Sequence, residues 1–241
     1  MIVTAIIQAR MGSTRLPGKI LKEVNSKPLL AYQLERISHS NWIDKVVIAT
    51  TLAPKDDIIV EFCENYGVDY YRGSEDDVLS RYYEAAEQYG GDIIVRLTSD
   101  CPIIDPDIVD ETIQCFFNND YDYVSNTIER TYPRGLDTEV FSKAALKRAW
   151  KEATLKRDKE HVTPFMYSNP EIFNLGYIKN KQDYSQYRWT VDTAEDFELI
   201  ELILKELYQE NNMFYMSDVI ELLKKYPKWI ELNAHIEQKK M

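Results

Sequence analysis

Apolar and polar positions follow two periods along the chain, and each change of period marks an element. Residues 2–7 form a short apolar run that reads as a strand, followed by a polar, glycine-containing loop over residues 8–19. Pro28 opens a helix in which Leu30, Leu34 and Ile37 share one face. Residues 46–49 repeat the strand pattern, a helical pattern runs through Glu61, and residues 68–71 form a third short strand. Val78, Leu79, Tyr82, Tyr83 and Ala86 then line a helix. The apolar run 93–97 is expected at the centre of the sheet, because helices flank it. Asp105 and Pro106 predict another helix start, the aspartate capping free amides and the proline suiting the first turn, with Ile108, Thr112 and Cys115 along one side. This alternation predicts an α/β fold with a mostly parallel central sheet covered by helices.

After Asn118 the rhythm loosens. Residues 121–125, 138–141 and 172–177 supply candidate edge strands, and Ser142 is placed to cap a helix running toward Trp150. The length of 241 residues suits one domain, 1–241. Within it, residues 126–188 are the candidate acceptor-binding or dimerisation lobe, with irregular decoration of a single core as the alternative. Phe197, Ile200, Leu204 and Leu207 mark a helix after Asp192, and residues 218–226 and 230–236 read as shorter terminal helices.

Charge narrows the partners. With 29 basic against 40 acidic residues the formal net charge is -11, which opposes attraction to a nucleic-acid backbone while leaving room for a local cationic pocket. Cys63, Cys101 and Cys115 form no paired metal motif and are expected as buried or partly buried thiols. No stretch approaches the roughly 20 apolar residues that span a bilayer. Without a secretory signal, the expectation is a cytoplasmic location and no membrane insertion.

The most informative run lies directly after the first strand, from Gln8 through Ala9, Arg10, Met11, Gly12, Ser13, Thr14, Arg15, Leu16, Pro17 and Gly18 to Lys19. Three cations in one short loop repel one another unless an anion or solvent neutralises them, and a triphosphate supplies both charge and acceptor oxygens. Arg10 and Arg15 suit directional contacts and Lys19 a compact charge. Gly12 permits close backbone approach, and amides around Ser13 suit an anion-binding nest. The run lacks both the P-loop and the dinucleotide fingerprint, which turns the reading from ATPase or dehydrogenase toward another phosphate-handling fold. A solvated loop joining strand to helix is the competing reading.

Asp100 stands just beyond the strand 93–97, where ligand crevices of parallel sheets lie. Asp192 follows the short run 187–191 and precedes a helix. Both are candidates to hold Mg2+ against phosphate oxygens. Asp192 with Glu195 also fits a capping box, and Asp100 a turn. Arg72 and Ser74 precede a helix at a polar junction where Asp76 or Asp77 suits a cap. Arg96 and Thr98 lie near the proposed chemistry, with a structural ion pair as the rival role for Arg96. Arg134, Asp137 and Glu139 flank Gly135 and are candidate acceptor contacts, with a turn into an edge strand as the alternative; His161 is a weaker candidate.

The loop 8–19, with the runs 96–102 and 188–196, resembles the cytidylyltransferases that activate acidic sugars such as 3-deoxy-manno-octulosonate and acylneuraminate. It is especially similar to the SpsF-like, spore-coat polysaccharide branch, although Gln8 departs from the proline-containing opening common in the sugar-acid enzymes. The resemblance implies a Rossmann-like nucleotidyltransferase fold, CTP as substrate, Mg2+, a small sugar-like acceptor and, often in this family, a homodimer. It also implies triphosphate contacts at Arg10, Arg15 and Lys19, Gln8 and Ala9 near the nucleotide, Arg72 and Ser74 along its pocket, and metal contacts at Asp100 and Asp192. The reaction so implied is transfer of CMP with release of pyrophosphate. A metal-dependent glycosyltransferase using a nucleotide-sugar donor and a non-catalytic nucleotide-binding protein are the alternatives.

Overall fold

The structure, a computed structural model, describes residues 1–209 and 213–238. In chain order its elements begin with β1 (Val3–Gln8), a small hairpin of β2 (Glu23–Val24) and β3 (Lys27–Pro28), and α1 (Leu29–Ile37). Next come β4 (Lys45–Thr51), α2 (Asp57–Tyr66), β5 (Asp69–Gly73), α3 (Val78–Tyr89), β6 (Ile93–Thr98) and α4 (Pro106–Phe117). The second half adds β7 (Tyr123–Ser125), β8 (Glu139–Ser142), α5 (Lys143–Glu152), α6 (Lys156–His161) and α7 (Pro164–Tyr167). β9 (Leu175–Tyr177), α8 (Ala194–Leu207) and α9 (Met216–Lys225) complete the set.

Seven strands make one sheet in the order β5-β4-β1-β6-β8-β7-β9, with β6 at its centre as its apolar run predicts. β8 alone runs antiparallel to its neighbours. Of the three expected edge strands, only β9 lies at an edge. β8 pairs on both sides because Val140 and Phe141 are fully buried between the layers, a position an edge would expose.

Alternate residues of each strand serve different faces. Ala5 and Ile7 pack with Leu30, Leu34, Ile59 and Ile113 under α1, α2 and α4, while Ile6 and Ile94 pack with Leu79, Tyr82 and Leu146 under α3 and α5. A third core holds Trp189, Val191 and Leu136 against α8 and α9. Asp77 and Ser142 cap α3 and α5 through Ser80 and Ala145 amides, and Asp105 caps α4 through the Asp107 amide. Two local readings are corrected. The capping box of α8 is made by Thr193 and Asp196, one residue later than Asp192 and Glu195, which frees the Asp192 side chain. The last predicted helix is a 3-10 turn over Pro227–Leu232. Among the described residues no helix is long and apolar enough to cross a membrane.

The chain runs outward from β1 through β4 to β5 and returns on the other side of β1 to form β6. Such a reversal opens a crevice beyond the C-terminal ends of the strands, between the loop after β1 and the loop after β6. The segment 187–191 lies along this crevice, beside the loop after β6. It makes an isolated bridge rather than a ladder: the Arg134 amide donates to the Tyr187 carbonyl at 3.0 Å, and the Trp189 amide to the Arg134 carbonyl at 2.6 Å. Gly135 sits at φ +102° with its missing Cβ position only 2.5 Å from the Trp189 carbonyl carbon. Replacing Gly135 with Ala therefore adds a backbone clash to positive-φ strain of about 1–3 kcal/mol. Urea unfolding of Gly135→Ala is expected to show at least that loss, and a change within about 0.5 kcal/mol of zero would refute the close-packing role.

Candidate active site

The cationic loop is built around the Met11 backbone. Its carbonyl accepts from the amides of Ser13 at 2.9 Å and Gly18 at 3.2 Å, and its own amide donates to Asp56 Oδ1 at 2.7 Å. Asp56 is fully buried and also accepts from the Thr51 hydroxyl, so a carboxylate with no ion pair among the described residues fixes the loop from beneath. Ser13 Oγ accepts from the Leu16 amide, and Gly18 at φ +68° turns the chain into a 3-10 turn that begins with Lys19.

That turn aims Lys19 into the crevice. Its Nζ lies 2.9 Å from Asp100 Oδ2 and 2.8 Å from Asp192 Oδ1, joining residues 81 and 173 positions away. The two aspartates meet because the Val191 amide donates to the Asp100 carbonyl at 2.8 Å, which lays the end of segment 187–191 beside the end of β6. Arg15 Nη2 contacts Asp192 Oδ2 at 2.8 Å, and Arg188 Nη2 contacts the same oxygen at 2.7 Å. Arg188 also pairs with buried Asp196, so three carboxylates and three cations balance within one ion-paired cluster.

The electrostatics follow from partial burial. Burial pushes Asp100 upward, but the Lys19 charge and hydrogen bonds from Thr98 and Lys19 outweigh it and hold the carboxyl at about 2. Burial alone would lower Lys19; attraction to Asp100 and Asp192, with hydrogen bonds to both, raises it instead. Both groups are ionised at neutral pH. Their arrangement presents one carboxylate oxygen from each aspartate to a single cationic point.

The remaining sequence candidates lie around this centre in different states. Arg10 is exposed, 3.7 Å from Glu75, which also pairs with Lys55 at 2.7 Å beside Gly12. Arg72 donates to the carbonyls of Thr51 and Ala53 and pairs with Asp57, while Ser74 Oγ accepts from the Asp77 amide. Ala9 donates its amide to Ala49 and is buried. Arg96 is ion-paired with buried Glu139, and its Nη2 donates to Gln8 Oε1 at 3.1 Å. Glu139 further accepts from Tyr123 and Thr163. Thr98 stands in register with Gln8, its hydroxyl 3.4 Å from Cys101 Sγ. Cys63 and Cys101 are buried thiols and Cys115 a partly buried one.

Asp137 is held by both Nη atoms of Arg130. Arg134 differs from its neighbours: its side chain makes no hydrogen bond or ion pair among the described residues. Burial, with Arg130 and Arg188 nearby, lowers its pKa, partly offset by Asp137. His161, at the end of α6, is half-buried, and burial lowers its pKa.

Sequence patterns singled out Arg15, Lys19, Asp100 and Asp192, and the fold brings these four together. Asp56 and Asn233 were missed. Asp56 lies in a short polar turn like any other, and Asn233 in a stretch read only as a terminal helix. The four-residue spacing of Arg188, Asp192 and Asp196 is the one local signal that points to the cluster behind Asp192.

Comparison with known proteins agrees with this geometry. The family model for cytidylyltransferases matches residues 4–225. An uncharacterized protein of Methanocaldococcus jannaschii is 38% identical over 241 residues, covering 99% of this chain and 97% of that protein. The spore coat polysaccharide biosynthesis protein SpsF of Bacillus subtilis is 36% identical over 234 residues, covering 92% and 94%. The solved structure of a cytidylyltransferase from Leptospira borgpetersenii superposes with a TM-score of 0.91 at 37% identity, covering 100% of both chains. The match runs from β1 and its cationic loop through the crevice to α9, so the chain is a nucleotidyltransferase and belongs to the cytidylyltransferase family.

Proposed function

We propose that this enzyme transfers CMP from CTP to a small anionic, sugar-like acceptor in a Mg2+-dependent reaction that releases pyrophosphate. The observation that carries the reading is Lys19 Nζ held between Asp100 and Asp192, with Arg15 on the same aspartate. Here the cations a triphosphate needs and the carboxylates a metal needs serve as one another's counter-ions.

The donor set fits Mg2+. Hard cations take oxygen ligands, and a nucleotide-bound Mg2+ commonly uses one or two carboxylates and fills the rest of its shell with phosphate and water. Among the described residues no group of three or more acidic, histidine or cysteine side chains is placed to hold a metal ion, and Asp100 and Asp192 would be the protein's share. Bound there, Mg2+ would supply charge neutralisation on the phosphate oxygens and polarisation of the attacking oxygen.

The chain's own groups perform the rest. Lys19 and Arg15 turn from the aspartates to the triphosphate, and Arg10, exposed at the loop's rim, joins them. Their charge stabilises the negative charge that grows on the departing pyrophosphate. The acceptor's hydroxyl oxygen bonds to the α-phosphorus, the bond to the β-phosphate's bridging oxygen breaks, and the hydroxyl proton leaves to water. Gln8 and Ala9 at the end of β1, with Arg72, Ser74, Arg96 and Thr98, border the nucleotide. Residues 126–188 form the acceptor side, where Arg134, without a hydrogen-bonded side-chain partner among the described residues, offers its guanidinium to an acidic group while Asp137 and Glu139 shape its surroundings.

Three outcomes are expected. In a panel of four nucleoside triphosphates with Mg2+ and matched acidic and neutral sugars, pyrophosphate release should require an acceptor, prefer CTP and favour the acidic sugar. Arg134→Met should raise the KM for that sugar; turnover only with a preformed nucleotide sugar would sink the reading in favour of glycosyl transfer. Asp100→Asn and Asp192→Asn should each fold and lose at least about 100-fold in kcat/KM. Near-normal kinetics in either variant would remove that residue from the metal site.

The third concerns pH. Asp100 is depressed in the folded state, so its contribution to stability is present above its unfolded value of about 3.9 and is lost as pH falls through about 2. Lys19 is raised, so its contribution is present below about 10.4 and is lost only as pH rises through its higher folded value. Lys19→Met, which leaves two carboxylates facing each other, should therefore cost about 3 kcal/mol on a plateau between about pH 4 and 10. Denaturant midpoints at pH 3, 7 and 9 check this; a cost at pH 3 equal to that at pH 7 contradicts it.

A further inference from the structure

Behind Asp192 lies a buried array whose last member comes from the far end of the chain. Arg188 directs Nε to Asp196 Oδ1 at 2.9 Å, Nη2 to Asp192 Oδ2 at 2.7 Å and Asp196 Oδ2 at 3.2 Å, and Nη1 to Gln238 Oε1 at 2.6 Å. Asp196 is fully buried, and its Oδ2 also accepts from the amides of Asp192 at 2.9 Å and Thr193 at 3.1 Å. Asn233, buried just after the 3-10 turn Pro227–Leu232, donates through Nδ2 to Asp196 Oδ1 at 2.9 Å and to the Arg188 carbonyl at 2.8 Å. One amide group thus touches both the backbone of Arg188 and the carboxylate that orients its guanidinium.

The partners of Asp192 are not equivalent. Lys19 and Arg15 belong to the loop that turns to the triphosphate in the proposed reaction. Arg188 cannot follow, because its other contacts are with buried Asp196 and with Gln238. Once the loop has turned, the orientation of Asp192 depends on Arg188, and that of Arg188 on Asp196 and Asn233. We propose that Asn233 is a positioning residue for nucleotidyl transfer, through which the C-terminal segment holds Asp192 in its metal-binding orientation. The inference rests on the assignment of Asp192 to the divalent cation. Groups behind a metal ligand commonly change affinity or activity by about 10–100-fold when removed, because they set the ligand's direction.

The alternative is that Asn233 only anchors the terminal segment against the start of α8. Two measurements on the full chain separate these roles: Mn2+ binding, followed by electron paramagnetic resonance with a non-hydrolysable CTP analogue present, and steady-state kcat and KM for CTP. Val219→Ala, which trims the same apolar cluster without touching the array, serves as the stability control. Asn233→Ala is expected to weaken Mn2+ binding about tenfold and to lower kcat about tenfold, with KM for CTP changed less than about threefold. Val219→Ala should lower Tm with both unchanged. If Asn233→Ala does not fold, Gln238→Ala at the exposed end of the array should show a smaller loss of the same kind. A lowered Tm with unaltered Mn2+ affinity and kcat in the array variant overturns the proposal. If Asp192→Asn binds Mn2+ as tightly as the unaltered enzyme, the metal assignment itself fails and the positioning role falls with it.

Discussion

The contact of Lys19 with Asp100 and Asp192 ties together three parts of the chain that no local propensity would join. A lone ammonium at this depth would lose solvation, and two carboxylates so close would repel each other. These costs are offset where the three groups meet, with Arg15 and Arg188 adding to the positive charge on Asp192. The loop after β1, the end of β6 and the start of α8 must therefore meet with little tolerance, which is why so much of the structure nearby serves backbone placement. Asp56 fixes the loop at Met11, Gly18 turns Lys19 inward, the Val191 amide docks on the Asp100 carbonyl, and Gly135 allows the 134–136 backbone to lie against 188–190.

The sheet makes the meeting place. Parallel strands buried on both faces are largely apolar, so most polar site candidates lie at or beyond the strand ends. β1 and β6 illustrate this, with Ile6, Ile7, Ile94, Val95 and Leu97 all buried while Asp100 and the cationic loop begin just past them. A reversal of chain direction beside β1 then leaves the crevice open. The antiparallel β8 extends the sheet without closing it and brings Glu139 beneath Arg96, where the ion pair supports Gln8 from below.

Much of this was legible from local pattern. The β-α alternation through α4 is strongly periodic; Arg15, Lys19 and Asp100 lie in the loops that follow β1 and β6, and Asp192 follows the short apolar run 187–191. The illegible parts are tertiary. β8 has the length and composition of an edge strand, and only the packing of Val140 and Phe141 between two layers shows that it is internal. Thr193 takes the cap that Asp192 also fits, because Asp192 is drawn to Arg15, Lys19 and Arg188 instead. Asn233 carries no local signal at all, since its meaning comes from Asp196, 37 positions away.

The charge balance of the cluster also constrains the order of events in the proposed reaction. A divalent cation arriving alone would compete with Lys19 for the same two oxygens and strand an ammonium in a partly buried crevice. A triphosphate arriving alone would draw Lys19 and Arg15 away and leave Asp100 without its counter-charge beside Asp192, which would keep only Arg188. Either ligand by itself meets a penalty that the other removes, so the two sites are coupled with the same sign in both directions. A nucleotide that carries its own cation meets neither penalty, because it replaces both sets of counter-ions together. In the proposed reaction, positive coupling between nucleotide and cation would thus follow from the cluster's neutrality, with Arg188, which takes part in neither exchange, as the fixed point.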